Sequence, residues 1–164
     1  MIRALKVFYH YWMAISLENH TDHVAVKHVK YLAELNNCWG VLDLAHRYHK
    51  GKSIGKDLNK AAFYYKKAFE TGGKEADCAA YNLGAMYLNG EGVKQDIYKS
   101  VAWNKKAAYL GYPASQYNYG LSLYDGWCEV YDEEEGLLWI KKAADSGMPE
   151  AKEVMRKVSE EYNQ

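Results

Sequence analysis

Cysteine is scarce in this chain: Cys38, Cys78 and Cys128 are an odd number with no close pair, which excludes a disulfide framework. The simpler reading is three packed or half-buried free thiols in a reducing compartment, which makes the cytoplasm the expected location. An excess of one charge is missing too. Twenty-one basic residues balance twenty-one acidic ones, so the basic surplus that a nucleic-acid binder gathers on one face is absent. No run of eighteen apolar residues exists, and no membrane-spanning helix is expected. The stretch from Met1 to Ala14 places Arg3 and Lys6 before apolar residues, but His10 interrupts it and no small-x-small cleavage site follows, so it is read as part of the fold and not as a signal peptide. Catalytic signatures are lacking as well. There is no Gly-x-Ser-x-Gly, no phosphate loop and no His-Glu-x-x-His, so neither enzymatic activity nor a cofactor is expected.

What is present is a repeat. One helix position recurs as Leu44, Leu83, Tyr119 and Met155, at spacings of 39, 36 and 36 residues. A loop aspartate recurs as Asp57, Asp96 and Asp132, an aromatic as Tyr64, Trp103 and Trp139, and a terminal glycine as Gly72, Gly111 and Gly147. Agreement at four independent positions sets the register. Each unit reads as an apolar helix, a loop, and a second helix opened by the aspartate, which can accept orphan N–H groups and complement the positive helix end. Gly84, inside a helix, costs about 1 kcal/mol against Ala and marks a place where the partner helix crosses closely. Gly90 and Gly92 supply the positive φ that turns the chain.

Repeats are expected over 39–72, 77–111 and 115–147, with about nine helices in one domain spanning 1–164. A step of 36 residues back from Leu44 and Tyr48 reaches Phe8 and Trp12, and from Asp57 and Ala61 reaches Thr21 and Ala25, which defines a degenerate repeat over 1–38. The segment 149–162 carries Ala151, Val154, Met155, Val158 and Tyr162 on one stripe and reads as a capping helix. Pro113 and Pro149 start helices just past Gly111 and Gly147. Asp132-x-x-Glu135 offers a capping-box-like start, and the third loop replaces the second glycine with the apolar bulk of Trp127 and its neighbours.

The run Leu83-Gly84-x-x-Tyr87-x-x-Gly90-x-Gly92-Val93-x-x-Asp96-x-x-Lys99-x-x-x-Trp103-x-x-Lys106-Ala107-Ala108-x-x-Gly111 resembles the Sel1-like repeat, a relative of the tetratricopeptide repeat. The resemblance implies an all-α fold, a right-handed α/α superhelix whose first helices line an inner curve, and a non-enzymatic role in binding other proteins. Some secreted members carry a disulfide in each repeat, and this chain departs from them.

By that architecture the inner face carries Arg3, Lys6 and His10, then Leu42, His46 and His49, then Tyr81, Leu88 and Asn89, then Tyr117, Leu121 and Tyr124. These are the expected contacts to a partner protein or peptide, with exposed tyrosines as anchors. Tyr48, Tyr64, Tyr87, Trp103 and Trp139 fall on core positions instead. All six histidines lie in the first third of the chain, and convergence of His10, His46 and His49 would permit metal binding. The plainer reading is a polar face with no ligand. The leading function is an interaction module; the rivals are an immunity protein that clamps a toxic enzyme, and a metal-dependent regulator or enzyme built on the histidines.

Overall fold

The computed structural model describes residues 2–16, 22–127 and 131–161 of the chain. Among them are nine helices and no strand: α1 (Ile2–Ser16), α2 (Asp22–Glu34), α3 (Cys38–Lys50), α4 (Leu58–Thr71), α5 (Ala76–Asn89), α6 (Ile97–Tyr109), α7 (Pro113–Tyr124), α8 (Glu133–Asp145) and α9 (Pro149–Glu161). The fold class is therefore the all-α one expected. Two compact units divide the chain, one formed by residues up to 79 together with 90–94, the other by 80–89 together with 95 onward. In the first, α1 packs on α2, α2 on α3 and α3 on α4; in the second, α6 packs on α7, α7 on α8 and α8 on α9.

The loop aspartates explain why the repeats close as they do. Asp57, Asp96 and Asp132 each occupy the N-cap of α4, α6 and α8, and each carboxylate accepts the N–H of the residue three ahead, at 2.9, 3.0 and 2.9 Å. Each also donates its own N–H to the last turn of the preceding helix, to the carbonyls of Tyr48, Tyr87 and Leu123 at 2.9, 2.9 and 3.1 Å. One residue thus starts a helix and ties it to its partner. In the first two repeats a lysine three residues on joins in: Lys60 and Lys99 pair with Asp57 and Asp96 at 3.1 and 3.2 Å and lie over the rings of Tyr48 and Tyr87. The Trp-x-x-Lys spacing has a parallel cause, since Lys106 and Lys142 stand 3.9 and 3.8 Å from the ring centroids of Trp103 and Trp139.

Small residues let the helices approach. A Cβ on Gly120 would meet the Gly136 carbonyl and Ile140 Cγ1, both at 2.8 Å, and one on Gly136 would meet the Gly120 carbonyl and Tyr124 N, also at 2.8 Å. Late residues of α7 thereby face early residues of α8, so the two run antiparallel. Gly92, at φ 66°, adopts a left-handed turn in which the Leu58 and Asn59 backbone occupies the place of a side chain. Alanines fill much of both cores, among them Ala25, Ala45, Ala61 and Ala68 in the first unit and Ala107, Ala143 and Ala151 in the second, all fully buried. Tyr65 is fully buried as well, beside the half-buried Tyr48 and Tyr64, whose rings stack at 5.6 Å.

Two sequence expectations change on contact with the structure. Ala25 is buried as Ala61 is, but Phe8 and Trp12 are 67% and 58% exposed where Leu44 is 2% exposed, because α1 packs on α2 through its opposite face, with Ala14 buried. The capping box in α8 forms only its first half: Glu135 Oε1 accepts from Trp139 Nε1 at 3.2 Å, while the Asp132 N–H is already donated to Leu123. The capping helix is present as α9, with Ala151 buried against Ile140, Ala143 and Ala144; Tyr162 lies outside the described residues. Cys38 and Cys78 form no disulfide with each other, and Cys128 lies outside the described residues. Burial, reinforced by the Glu75 carboxylate, pushes the Cys38 thiol up to about 11.

Candidate functional site

The second unit contains a cleft of about 160 Å³ lined by Leu88, Ile97, Ser100, Val101, Asn104, Asn118, Leu121, Ser122 and Trp127. Four segments build it. Leu88 ends α5, Ile97 follows the Asp96 cap at the start of α6, and Leu121 projects from α7. Trp127 is delivered by the end of α7, where its N–H donates to the Ser122 carbonyl at 3.1 Å and Gly126 takes a φ of 67°. Three of these side chains remain large exposed apolar surfaces: Trp127 at 57%, Leu88 at 44% and Ile97 at 38%.

The polar lining is a chain of amides. Asn104 is buried and donates to the Ser100 carbonyl at 3.1 Å, while Asn118 at the exposed edge donates to Asn104 Oδ1 at 3.3 Å. Gly84 makes room for this: a Cβ there would come within 2.9 Å of Asn104 Nδ2. Ser122 donates to the Tyr119 carbonyl at 2.7 Å. No lining side chain carries a charge, so the cleft favours apolar and amide groups over ions. Its volume suits one large side chain and falls below that of a cofactor pocket, roughly 300–1,000 Å³.

The structure brings Leu88 and Leu121 together in this cleft and distributes the other expected contacts elsewhere. Tyr81 lies against the Tyr112 ring at 4.8 Å, and Tyr117 packs on the cluster of Ile140, Ala143, Ala144 and Ala151. Tyr124 lines a separate hollow of about 230 Å³ with Glu133, Val158 and Glu161, and Asn89 is exposed at the end of α5. In the first unit Leu42 is 7% exposed and belongs to the core, not to a surface, because its side chain turns inward with Val41 and Ala45. Lys6 is exposed, and the side chain of Arg3 lies outside the described set.

Four of the histidines divide into two groups. His10 Nδ1 lies 2.6 Å from His28 Nδ1, so one ring donates and the other accepts, and the His10 ring lies against that of Tyr31, tilted by 34° with centroids 4.0 Å apart. His46 stands edge-on to Tyr65 at 5.3 Å, and burial lowers its pKa. His49 bridges two partners: Tyr65 Oη lies 3.3 Å from its Nδ1 and Glu91 Oε2 3.0 Å from its Nε2. A neutral ring satisfies both when the Tyr65 hydroxyl donates to Nδ1 and Nε2–H donates to the carboxylate. His10 therefore turns to α2 and does not join His46 and His49. Among the described residues no three His, Cys, Asp or Glu side chains are grouped to hold a metal ion.

Ile97, Asn104, Asn118 and Trp127 were not singled out as contacts from the sequence. A signal existed for two of them. Asn118 repeats Asn82 and Asp43 at spacings of 36 and 39, a polar residue just before each core Leu or Tyr, and Trp127 is the aromatic that displaces a loop glycine.

Consecutive helix pairs with capped, glycine-turned connections define an α-helical repeat protein, a class used as a scaffold for protein interaction. The chain belongs to the Sel1 repeat family, whose repeat matches residues 41–72, 79–112 and 113–148. Similar solved structures agree. A Sel1 repeat protein from Oxalobacter formigenes is 29% identical over 79% of this chain and 95% of its own, with a TM-score of 0.71. The protective antigen c5321 of uropathogenic Escherichia coli, described as having an SLR fold, is 36% identical with a TM-score of 0.67; the match covers 74% of this chain and 26% of that one. Helicobacter pylori cysteine rich protein B is 27% identical over 79% of this chain and 91% of its own, with a TM-score of 0.59. No helix among the described residues is long and apolar enough to cross a membrane.

Proposed function

We propose that this protein is a non-enzymatic interaction module that captures a partner protein or peptide, and that the cleft of the second unit seats one large apolar side chain of that partner. The observation that carries the reading is the convergence of Trp127, Leu88 and Ile97, all exposed, on an uncharged hollow with an amide edge. Exposed Trp is a favoured anchor because it offers a large apolar area with little side-chain entropy to lose. Asn118 uses its NH2 group on Asn104, which leaves its carbonyl oxygen to accept an N–H from the bound backbone. Affinity then comes from the apolar anchor and orientation from the amide.

A random peptide library displayed against the immobilised full chain tests this. Selected peptides are expected to share an aromatic or branched aliphatic residue, and Trp127→Ala is expected to weaken them by about 2 kcal/mol, the usual size for a central aromatic anchor. Selection of peptides without such a residue, or equal binding to Trp127→Ala, contradicts the assignment.

A further inference from the structure

Helix α1 has an apolar face on each side. One side rests on α2, with Ala14 buried and His10 against His28. The other exposes Leu5 at 63%, Phe8 at 67%, Trp12 at 58% and Ile15 at 46%, flanked by Tyr9 and Tyr11. Steps of three, four and three residues keep those first four side chains within about 80° of one another on the helix circumference. No charge interrupts them, since Lys6 projects from the opposite half of the helix. With aromatic side chains of roughly 150–250 Å² each, the six exposed groups amount to on the order of 600 Å² of apolar surface. That equals or exceeds the largest patch of an ordinary monomer, about 300–600 Å², and approaches the roughly 800 Å² that each partner contributes to a stable interface.

A helix face left to solvent is ordinarily polar. Helix α9 follows that rule, with Arg156 paired to Glu153 and Glu160 on its exposed side. Helix α1 does not, so its outward face is built to be covered. The order of its stripe indicates by what. Aliphatic, aromatic, aromatic, aliphatic reads the same in both directions about residue 10, so two copies packed antiparallel about that residue set each apolar side chain against another, as an isologous contact pairs i with j and j with i. A membrane-surface helix would instead line its whole polar side with solvated cations, whereas that side of α1 is largely packed on α2, with the exposed Lys6 at its margin.

We infer that α1 is the homodimerisation surface of this protein, two copies packing antiparallel so that Leu5 meets Ile15 and Phe8 meets Trp12 of the second copy. The dimer presents two copies of the partner-binding cleft, although the contact itself does not depend on that reading.

Sedimentation equilibrium of the full chain tests the inference directly. Wild type is expected to give twice the chain mass with a Kd in roughly the micromolar range, and Trp12→Glu to raise that Kd about 100-fold or more while leaving the helical spectrum unchanged, since the indole is already more than half exposed. Leu5→Lys and Ile15→Glu should each weaken the dimer, and the two together in one chain should restore it by pairing across the two-fold axis. A wild-type chain that stays monomeric at about 100 µM overturns the inference, whether or not it binds anionic lipid vesicles. Undiminished dimer in Trp12→Glu overturns it as well, and failure of the paired substitution to restore association overturns the antiparallel register.

Discussion

Arg47 stands where the next repeats carry Met86 and Ser122, 39 and 36 residues on, and like them it is buried. Its Nε donates to Asp43 Oδ2 at 2.6 Å, while Nη1 has no partner among the described residues. Removing one member of such a pair strands the other, so Asp43→Ala is expected to cost about 3 kcal/mol in a denaturant titration, whereas Arg47→Met, which restores the neighbouring repeat's residue, is expected to be neutral or stabilising. The histidines give a second prediction. Burial lowers the pKa of both His46 and His28; Asp43 opposes the shift at His46 while Lys50 and His49 add to it, and His10 adds to it at His28. The unfolded chain therefore binds more protons below the ordinary value of about 6.5, so stability is complete above that pH and falls beneath it. The melting temperature is expected to drop between about pH 7.5 and pH 5.5, and His46→Gln should flatten the slope. A pH-independent melting temperature contradicts this account.

At the scale of the element, the recurring aspartates carry the argument. Asp132→Ala removes the acceptor for the Glu135 N–H and is expected to cost about 1 kcal/mol, with Asp132→Asn largely preserving stability. Gly120→Leu drives a side chain into the Gly136 carbonyl and Ile140, so a loss of about 3 kcal/mol or more is expected, read as a lower denaturation midpoint. These features were legible in the sequence because a cap, a crossing glycine and a helix-starting proline each act within a few residues of themselves. The four-position register located α3 to α8, and Pro113 and Pro149 do open α7 and α9. Helix α1 was legible as a helix and not as a core helix. Its own sequence supports two apolar faces, and only its packing on α2 decides which one is buried.

For the molecule as a whole, fold class and family followed from the repeat, while the site did not. Leu88 and Leu121 lie on α5 and α7 and line one cleft, whereas Tyr81 and Tyr117, on the same two helices, are engaged by Tyr112 and by the α8–α9 cluster. Which side chain meets solvent depends on the rings and loops that neighbouring helices bring, and Trp127 comes from a loop that departs from the repeat. Replacing Tyr81 and Tyr117 together by Ala is accordingly expected to lower the melting temperature and to change peptide affinity by less than a factor of about 3. The most direct test of the central claim is the affinity of one library-selected peptide, labelled with a fluorophore and titrated against wild type and Trp127→Ala by anisotropy. The account predicts a loss of about thirtyfold for Trp127→Ala with its helical spectrum and melting temperature intact; equal affinity in the two proteins would contradict it.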